Sequence, residues 1–298
     1  MLKTKLLDEL INNIDIAPPT QPELIDIVLD SGAVNGGYLI GCLLYLKELE
    51  KKGYIKIRKI SGSSIGAVCG FTYICDTLEL YDDIYSNSRN DIICNLNLKK
   101  CSKMLKTFIY NQSNDFYTKF NNRLYIAYYD INQKCDICTY NYSSNKDLYL
   151  KLRYSTFLPL LINGNLSMNN KCDSCIPKPF YEDNKVLFIN LTTYKKLFTA
   201  INVSSKNSMY KILHGIIDIH QFYTTGDKTE LCSYINNWSF YDHILFRLRF
   251  IITFILKYTL ALFIDLQKHY NDNNDKYKSI IINYMANLFR NYVLLVQI

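Results

Sequence analysis

Gly62-Ser63-Ser64-Ile65-Gly66 stands between two runs of opposite character. Before it, Tyr54-Ile55-Lys56-Ile57-Arg58-Lys59-Ile60 is rich in β-branched residues. After it, Ala67-Val68-Cys69-Gly70-Phe71 is a run of small and apolar residues suited to a helix. A G-x-S-x-G sequence in a strand–turn–helix setting has the form of a nucleophile elbow. The turn is sharp, so side chains at Gly62 and Gly66 would collide with the adjoining strand and helix. Ser63 and Ile65 complete the turn around Ser64, the candidate nucleophile. The helix that follows directs its positive end toward the serine.

The preceding unit has the same design. Leu24-Ile25-Asp26-Ile27-Val28-Leu29 reads as a buried strand. Asp30-Ser31-Gly32-Ala33-Val34-Asn35-Gly36-Gly37 follows it as a loop, and Tyr38 to Leu46 as a helix. A loop of small residues at a helix N-terminus exposes backbone N–H groups, which can cradle a phosphate or an oxyanion. A dinucleotide cradle is excluded by spacing, because Ser31 and Ala33 occupy the first two glycine positions of G-x-G-x-x-G.

These two units resemble the patatin-like phospholipases. In that family the first strand ends in G-G-G-x-R/K-G and the second in G-x-S-x-G. A D-G-G or D-G-A motif carries the catalytic aspartate, and no histidine takes part. The resemblance covers residues 22–200 or so. It implies an α/β fold, with a mostly parallel central sheet and helices on both faces, and a Ser–Asp dyad of Ser64 and Asp173. Ser155-Thr156-Phe157-Leu158-Pro159 matches the S-x-x-x-P segment of the family, and Asp173 follows Ser155 at the expected interval. Asp173-Ser174-Cys175 stands where D-G-G belongs, so Ser174 and Cys175 form the dyad turn. Asn190-Leu191-Thr192 is a rival alignment that would leave no aspartate, and the S-x-x-x-P spacing disfavours it. Leu124 to Asn132 is similar to an inner strand of the family that ends in a T-D-L turn.

The resemblance makes Ser31, Gly32, Ala33, Val34 and Gly36 the oxyanion loop, with Gly32 and Ala33 as the chief amide donors. It implies hydrolysis of phospholipid or other acyl-lipid esters through an acyl-enzyme, with no cofactor and no metal. Three departures stand against it. Ala33 replaces a loop glycine, Asn35 replaces the loop's basic residue, and Ser174-Cys175 replaces two glycines. They support the alternative of a decayed, lipid-binding or scaffold member. A second alternative is an α/β-hydrolase triad that recruits His214, His220, His243 or His269.

Composition narrows the class. The chain has 298 residues, 49% of them hydrophobic, so a sizeable core is expected. Its 26 tyrosines, with abundant Asn, Ile and Lys, show the bias of an AT-rich genome, viral or microbial. No secretory leader is visible at Met1–Ile16, so the ten cysteines are expected to be reduced in a cytoplasmic setting. Cys135/Cys138 and Cys172/Cys175 form two C-x-x-C pairs, but the gap between them is long for a zinc ribbon. A net charge of +7 suits a peripheral place at an anionic membrane. No nucleic-acid-binding signature accompanies it, so nucleic acid is not an expected partner.

Residues 1–22 read as a helix and a proline-rich linker, 23–200 as the catalytic domain, and 201–298 as a mostly helical extension packed on it. Within the extension, Ile244–Ile264 is long enough to span a bilayer, but Arg247, Arg249 and Lys257 oppose that. The segment is expected first as a helix buried against the sheet, and second as an interfacial helix.

Overall fold

The computed structural model describes residues 2–12, 19–95, 97–159, 165–181, 184–192 and 208–270. A seven-stranded sheet has the order β4-β3-β2-β1-β6-β7, with β5 also paired to β3. The strands are β1 (Glu23–Leu29), β2 (Ile55–Ser63), β3 (Leu124–Asp130), β4 (Cys135–Thr139), β5 (Lys171–Asp173), β6 (Lys185–Ile189) and β7 (Cys232–Tyr234). The inner strands β3, β2, β1 and β6 run parallel, while β4, β5 and β7 pair antiparallel. The expected mostly parallel α/β sheet is present.

The inner strands are apolar almost throughout because both faces of the sheet are covered. On one face, Ile25, Ile27, Leu29, Ile60, Leu124, Ile126 and Leu187 join a single core. That core includes residues of α2 (Gly36–Lys51), α3 (Ile65–Ile74), α6 (Asn145–Ser155) and α7 (Met209–Thr225). On the other face, Val28, Val186 and Phe188 pack with Phe180 and Ile235, and Phe246 leans on them. Phe246 belongs to α8 (Phe240–Tyr270), which reaches Tyr129 further along through Ala261 and Ile264. Asp26 is buried in this sheet and is neutralised by Arg58 through hydrogen bonds of 2.7 and 3.1 Å.

Helix α2 is buried along most of its length because α7 lies across it. The two backbones touch at glycines. A Cβ on Gly41 would sit 2.1 Å from the Ile212 carbonyl, and one on Gly215 would sit 2.2 Å from that of Tyr38. Helices α4 (Tyr81–Asn95) and α5 (Lys99–Tyr110) form a further pair beside α6.

The expected N-terminal helix is present, and one boundary moves. At the N-terminus the described helix α1 is Leu2–Asn12, and residues 13–18 lie outside the described residues. After residue 200 the chain is helical in α7 and α8, yet β7 adds an antiparallel strand to β6. The sheet therefore continues past the expected boundary. The rest of the expected extension, residues 201–207 and 271–298, lies outside the described residues.

Candidate active site

Parallel pairing of β1 with β2 brings their C-terminal ends side by side, with Leu29 opposite Gly62. Ligand sites in such sheets form at this edge. Ser64 follows β2 and opens α3 with φ 55° and ψ −126°. A non-glycine residue here costs roughly 1–3 kcal/mol, and the surroundings must hold it in place. The Ser64 N–H donates to Ser155 Oγ at 2.9 Å, and its carbonyl accepts from the Ala67 amide at 3.1 Å. The flanking glycines are required by contact. A Cβ on Gly62 would lie 2.5 Å from the Ala67 nitrogen, and one on Gly66 would lie 2.5 Å from the Leu29 carbonyl oxygen.

Sheet register places the aspartate. Along β3, Ala127 pairs with Ser63 of β2, and the next residue, Tyr128, pairs with Asp173 of β5. β5 thus continues the line of β2 past the elbow. Asp173 is buried, accepting from Ser63 Oγ at 3.1 Å and from the Cys175 amide at 2.8 Å, both on Oδ1. Its own N–H donates to the Phe157 carbonyl at 2.9 Å. Ser155 and Phe157 therefore hold the two halves of the site from one short segment.

Burial pushes the Asp173 carboxyl up to about 6, against lowering by the Ser64 hydroxyl, the Cys175 amide, Ser63 and the Lys257 charge. Its Oδ2 is buried and accepts no hydrogen bond. The Ser64 hydroxyl is thus near enough to stabilise the carboxylate, at a geometry short of a full hydrogen bond. Such looseness is common before substrate binds. Asn190 and Thr192, the rival alignment, flank the loop after β1 without bonding Ser64, with Thr192 Oγ1 donating to Asp30 at 2.9 Å.

The loop after β1 is only partly available for an oxyanion. The Ser31 amide donates to Asp30 Oδ1 at 2.8 Å, and the Ser31 hydroxyl to the Cys175 carbonyl at 2.6 Å. Ser31 therefore drops out as an amide donor. Among the described residues, the amides of Gly32, Ala33 and Val34 have no hydrogen-bond acceptor. Gly36 begins α2 in helical geometry, against Ile65 and Tyr81.

The departures from the glycine motifs have specific structural consequences. Ala33 adopts φ 46° and Cys175 φ 59°, left-handed angles that favour glycine. The Ser174-Cys175 turn nonetheless forms and presents its amide to Asp173. Next to Asn35, Lys211 Nζ of α7 donates to the Val34 carbonyl at 3.0 Å. Burial lowers its pKa to about 8.

Helix α8 contributes two residues that sequence reading assigned only as obstacles to a membrane span. Arg249 donates to Asp30, Ser31, Thr192 and the Cys175 carbonyl. Lys257 Nζ donates to both Asp136 oxygens at 2.6 Å and to the Ser174 carbonyl at 3.1 Å. An apolar cavity of about 700 Å³ has Ile65, Val68 and Phe71 of α3 in its wall, with Leu80, Leu105 and Phe108. Thr156, the residue after Ser155, also lines it.

Three of the four candidate histidines have partners other than Ser64 and Asp173. His214 packs on Tyr38 and pairs with Glu230, His220 bonds the Tyr45 hydroxyl, and His243 packs on Trp238. The side chain of His269 lies outside the described residues. Among the described residues, no three His, Cys, Asp or Glu side chains gather as metal ligands. No protein-family model matches this chain, and neither does any curated protein sequence.

Proposed function

We propose that this protein is a serine-dependent acyl hydrolase of the patatin-like phospholipase type. The observation that carries this reading is Ser64 in a strained elbow beside the buried Asp173, whose carboxyl titrates at about 6. An ionised carboxylate with that pKa can take the Ser64 proton near neutral pH. Ser64 Oγ then attacks the ester carbonyl, and the amides of Gly32, Ala33 and Val34 receive the negative charge on its oxygen. Loss of one such donor typically costs about 3–4 kcal/mol of barrier. The tetrahedral intermediate collapses to an acyl-enzyme, and Asp173 returns its proton to the departing alcohol. Water, activated by the same carboxylate, releases the fatty acid.

The cavity beside Ile65 suits an apolar acyl chain, which supports a lipid ester over a polar one. The mechanism requires no cofactor. The nine described cysteines are free, in keeping with a reducing setting. A second reading is a lipid-binding protein that no longer turns over. It is favoured by the burial of Ser64, which is only 5% exposed. Purified protein and Ser64→Ala are to be compared for fatty-acid release from phospholipid vesicles and for labelling by a fluorophosphonate. Release and labelling that vanish in the variant are expected. A folded protein that does neither overturns the hydrolase and leaves the binding reading.

A further inference from the structure

Helix α8 is amphipathic in the inverse sense to a helix made for water. Two of its cations, Arg249 and Lys257, turn inward, where Arg249 holds Asp30 and Lys257 holds Asp136. Apart from inward-packed Phe246, Ala261 and Ile264, many of its apolar residues turn outward. Leu248, Ile251, Ile252, Ile255 and Leu256 are each about half exposed or more, and the stripe runs from Leu245 to Leu262. That is about 25 Å of helix at 1.5 Å per residue. Isolated exposed apolar residues are ordinary, but a contiguous apolar face of this length marks an interaction surface. The expected burial of this segment against the sheet does not occur along most of its length.

We propose that the outward face of α8 seats on an anionic lipid bilayer, lying in its plane. This rests on the acyl-lipid reading above and names the surface by which that site meets its substrate. Charge selects a lipid surface. The face carries no acidic side chain between Asp242 and Leu262, and Arg247 is exposed within it. At its edge, Lys134 Nζ lies 5.8 Å from the centre of the Tyr258 ring. The whole chain is positive at +7. Basic and aromatic residues bordering an apolar helical face fit anionic headgroups above acyl chains. None of the described helices is long and apolar enough to cross a membrane, so the helix lies flat. The inward face places the bilayer next to the chemistry. Arg249 touches Ser31 and the Cys175 carbonyl, and Lys257 touches the Ser174 carbonyl.

The test uses the full chain with Ser64→Ala, so that vesicles stay intact. Trp238→Phe removes the single native tryptophan, and Ile255→Trp places a probe on the face. Vesicles of phosphatidylcholine with phosphatidylserine should shift its emission to the blue, and brominated phosphatidylcholine should quench it. Without the probe, Ile252→Glu with Ile255→Glu should lower vesicle partition on the order of tenfold or more. In the catalytically intact protein the same pair should leave hydrolysis of a soluble short-chain ester unchanged. Three results overturn the proposal. Emission already blue and unquenched at every protein concentration shows that residues 271–298 of the same chain cover the face. A blue shift lost on dilution shows a second copy. Partition indifferent to the glutamates shows another surface. Vesicle binding by a protein that releases no acid would instead overturn the hydrolase reading and leave the docking surface standing.

Discussion

Arg249 grips Asp30 across 219 residues of sequence, with Nη2 2.6 Å from Oδ1 and Nη1 3.0 Å from Oδ2. Asp30 has no exposure at all, and the Ser31 and Leu191 amides and Thr192 Oγ1 also donate to it. Removing the cation strands a buried carboxylate at the end of β1. Breaking such a pair from one side costs about 3–5 kcal/mol, whereas removing both charges is often close to neutral. Arg249→Met is therefore expected to lower the unfolding free energy, read from urea titration, by an amount in that range, with a matching fall in the midpoint. Adding Asp30→Asn should recover most of the loss. Equal midpoints for wild type and Arg249→Met would show that α8 does not secure the loop.

Under the proposed Ser64–Asp173 dyad, the Asp173 carboxyl is expected to set the acid limb of activity. Only the ionised form accepts the Ser64 proton, so kcat/KM on a soluble ester should rise with pH through about 6. An ordinary aspartate would give a limb near pH 4. Ser63 donates to the ionised form at 3.1 Å. Ser63→Ala should raise the carboxyl pKa further and move the limb upward while leaving the plateau in place. A limb that stays near pH 4 in wild type would exclude Asp173 as the base.

The same burial has a cost in stability. Its carboxyl is raised in the folded state from 3.8 to about 6. Its favourable contribution is complete below the unfolded value and is lost as pH rises through the folded one. At about 1.4 kcal/mol per unit, ionised Asp173 weakens the fold by about 3 kcal/mol relative to its protonated form. Asp173→Asn has no proton to lose. Its thermal midpoint should gain on that of wild type between about pH 4 and pH 7, while its hydrolysis is abolished. A stability difference independent of pH would contradict the shift.

The elbow and the loop after β1 were legible because each rests on local backbone geometry, whereas Asp173 was reached only through the resemblance, since sheet register brings it to Ser63 from 110 residues away. Glycine at 62 and 66 answers contacts with the Ala67 amide and the end of β1, which a short motif can encode. Ser155 entered only as the start of the S-x-x-x-P resemblance, from which the interval to Asp173 was counted, and the structure gives it a role of its own: it holds the Ser64 amide. Arg249, Lys257 and Lys211 were not legible as site residues. Each reaches the loops from a helix far along the chain, and nothing local reports the partner of a distant side chain. A trace of the signal existed, since two cations eight residues apart in an apolar helix share a face and need inward partners. The exposure of the rest of that helix was misjudged for the same reason. Apolar periodicity locates a helix but does not say what its apolar face meets.

Ala33 shows whether the glycine-poor loop is strained. Its φ of 46° is left-handed, which costs an L-residue roughly 1–2 kcal/mol. Glycine at this position removes that cost but gives back about 0.5–1 kcal/mol through the freedom of the unfolded chain. Ala33→Gly should thus raise stability by up to about 1 kcal/mol. It keeps the amide in place, so hydrolysis should persist. Ala33→Val meets the same angle with a branched side chain. It should cost more than about 1 kcal/mol and displace the Gly32 and Ala33 amides from the oxyanion. Activity of Ala33→Val should then fall through kcat, with KM little changed, because the amides act on charge that develops in the transition state. Should Ala33→Gly instead lower the unfolding midpoint, alanine is relaxed at this angle, and the absence of a loop glycine carries no penalty.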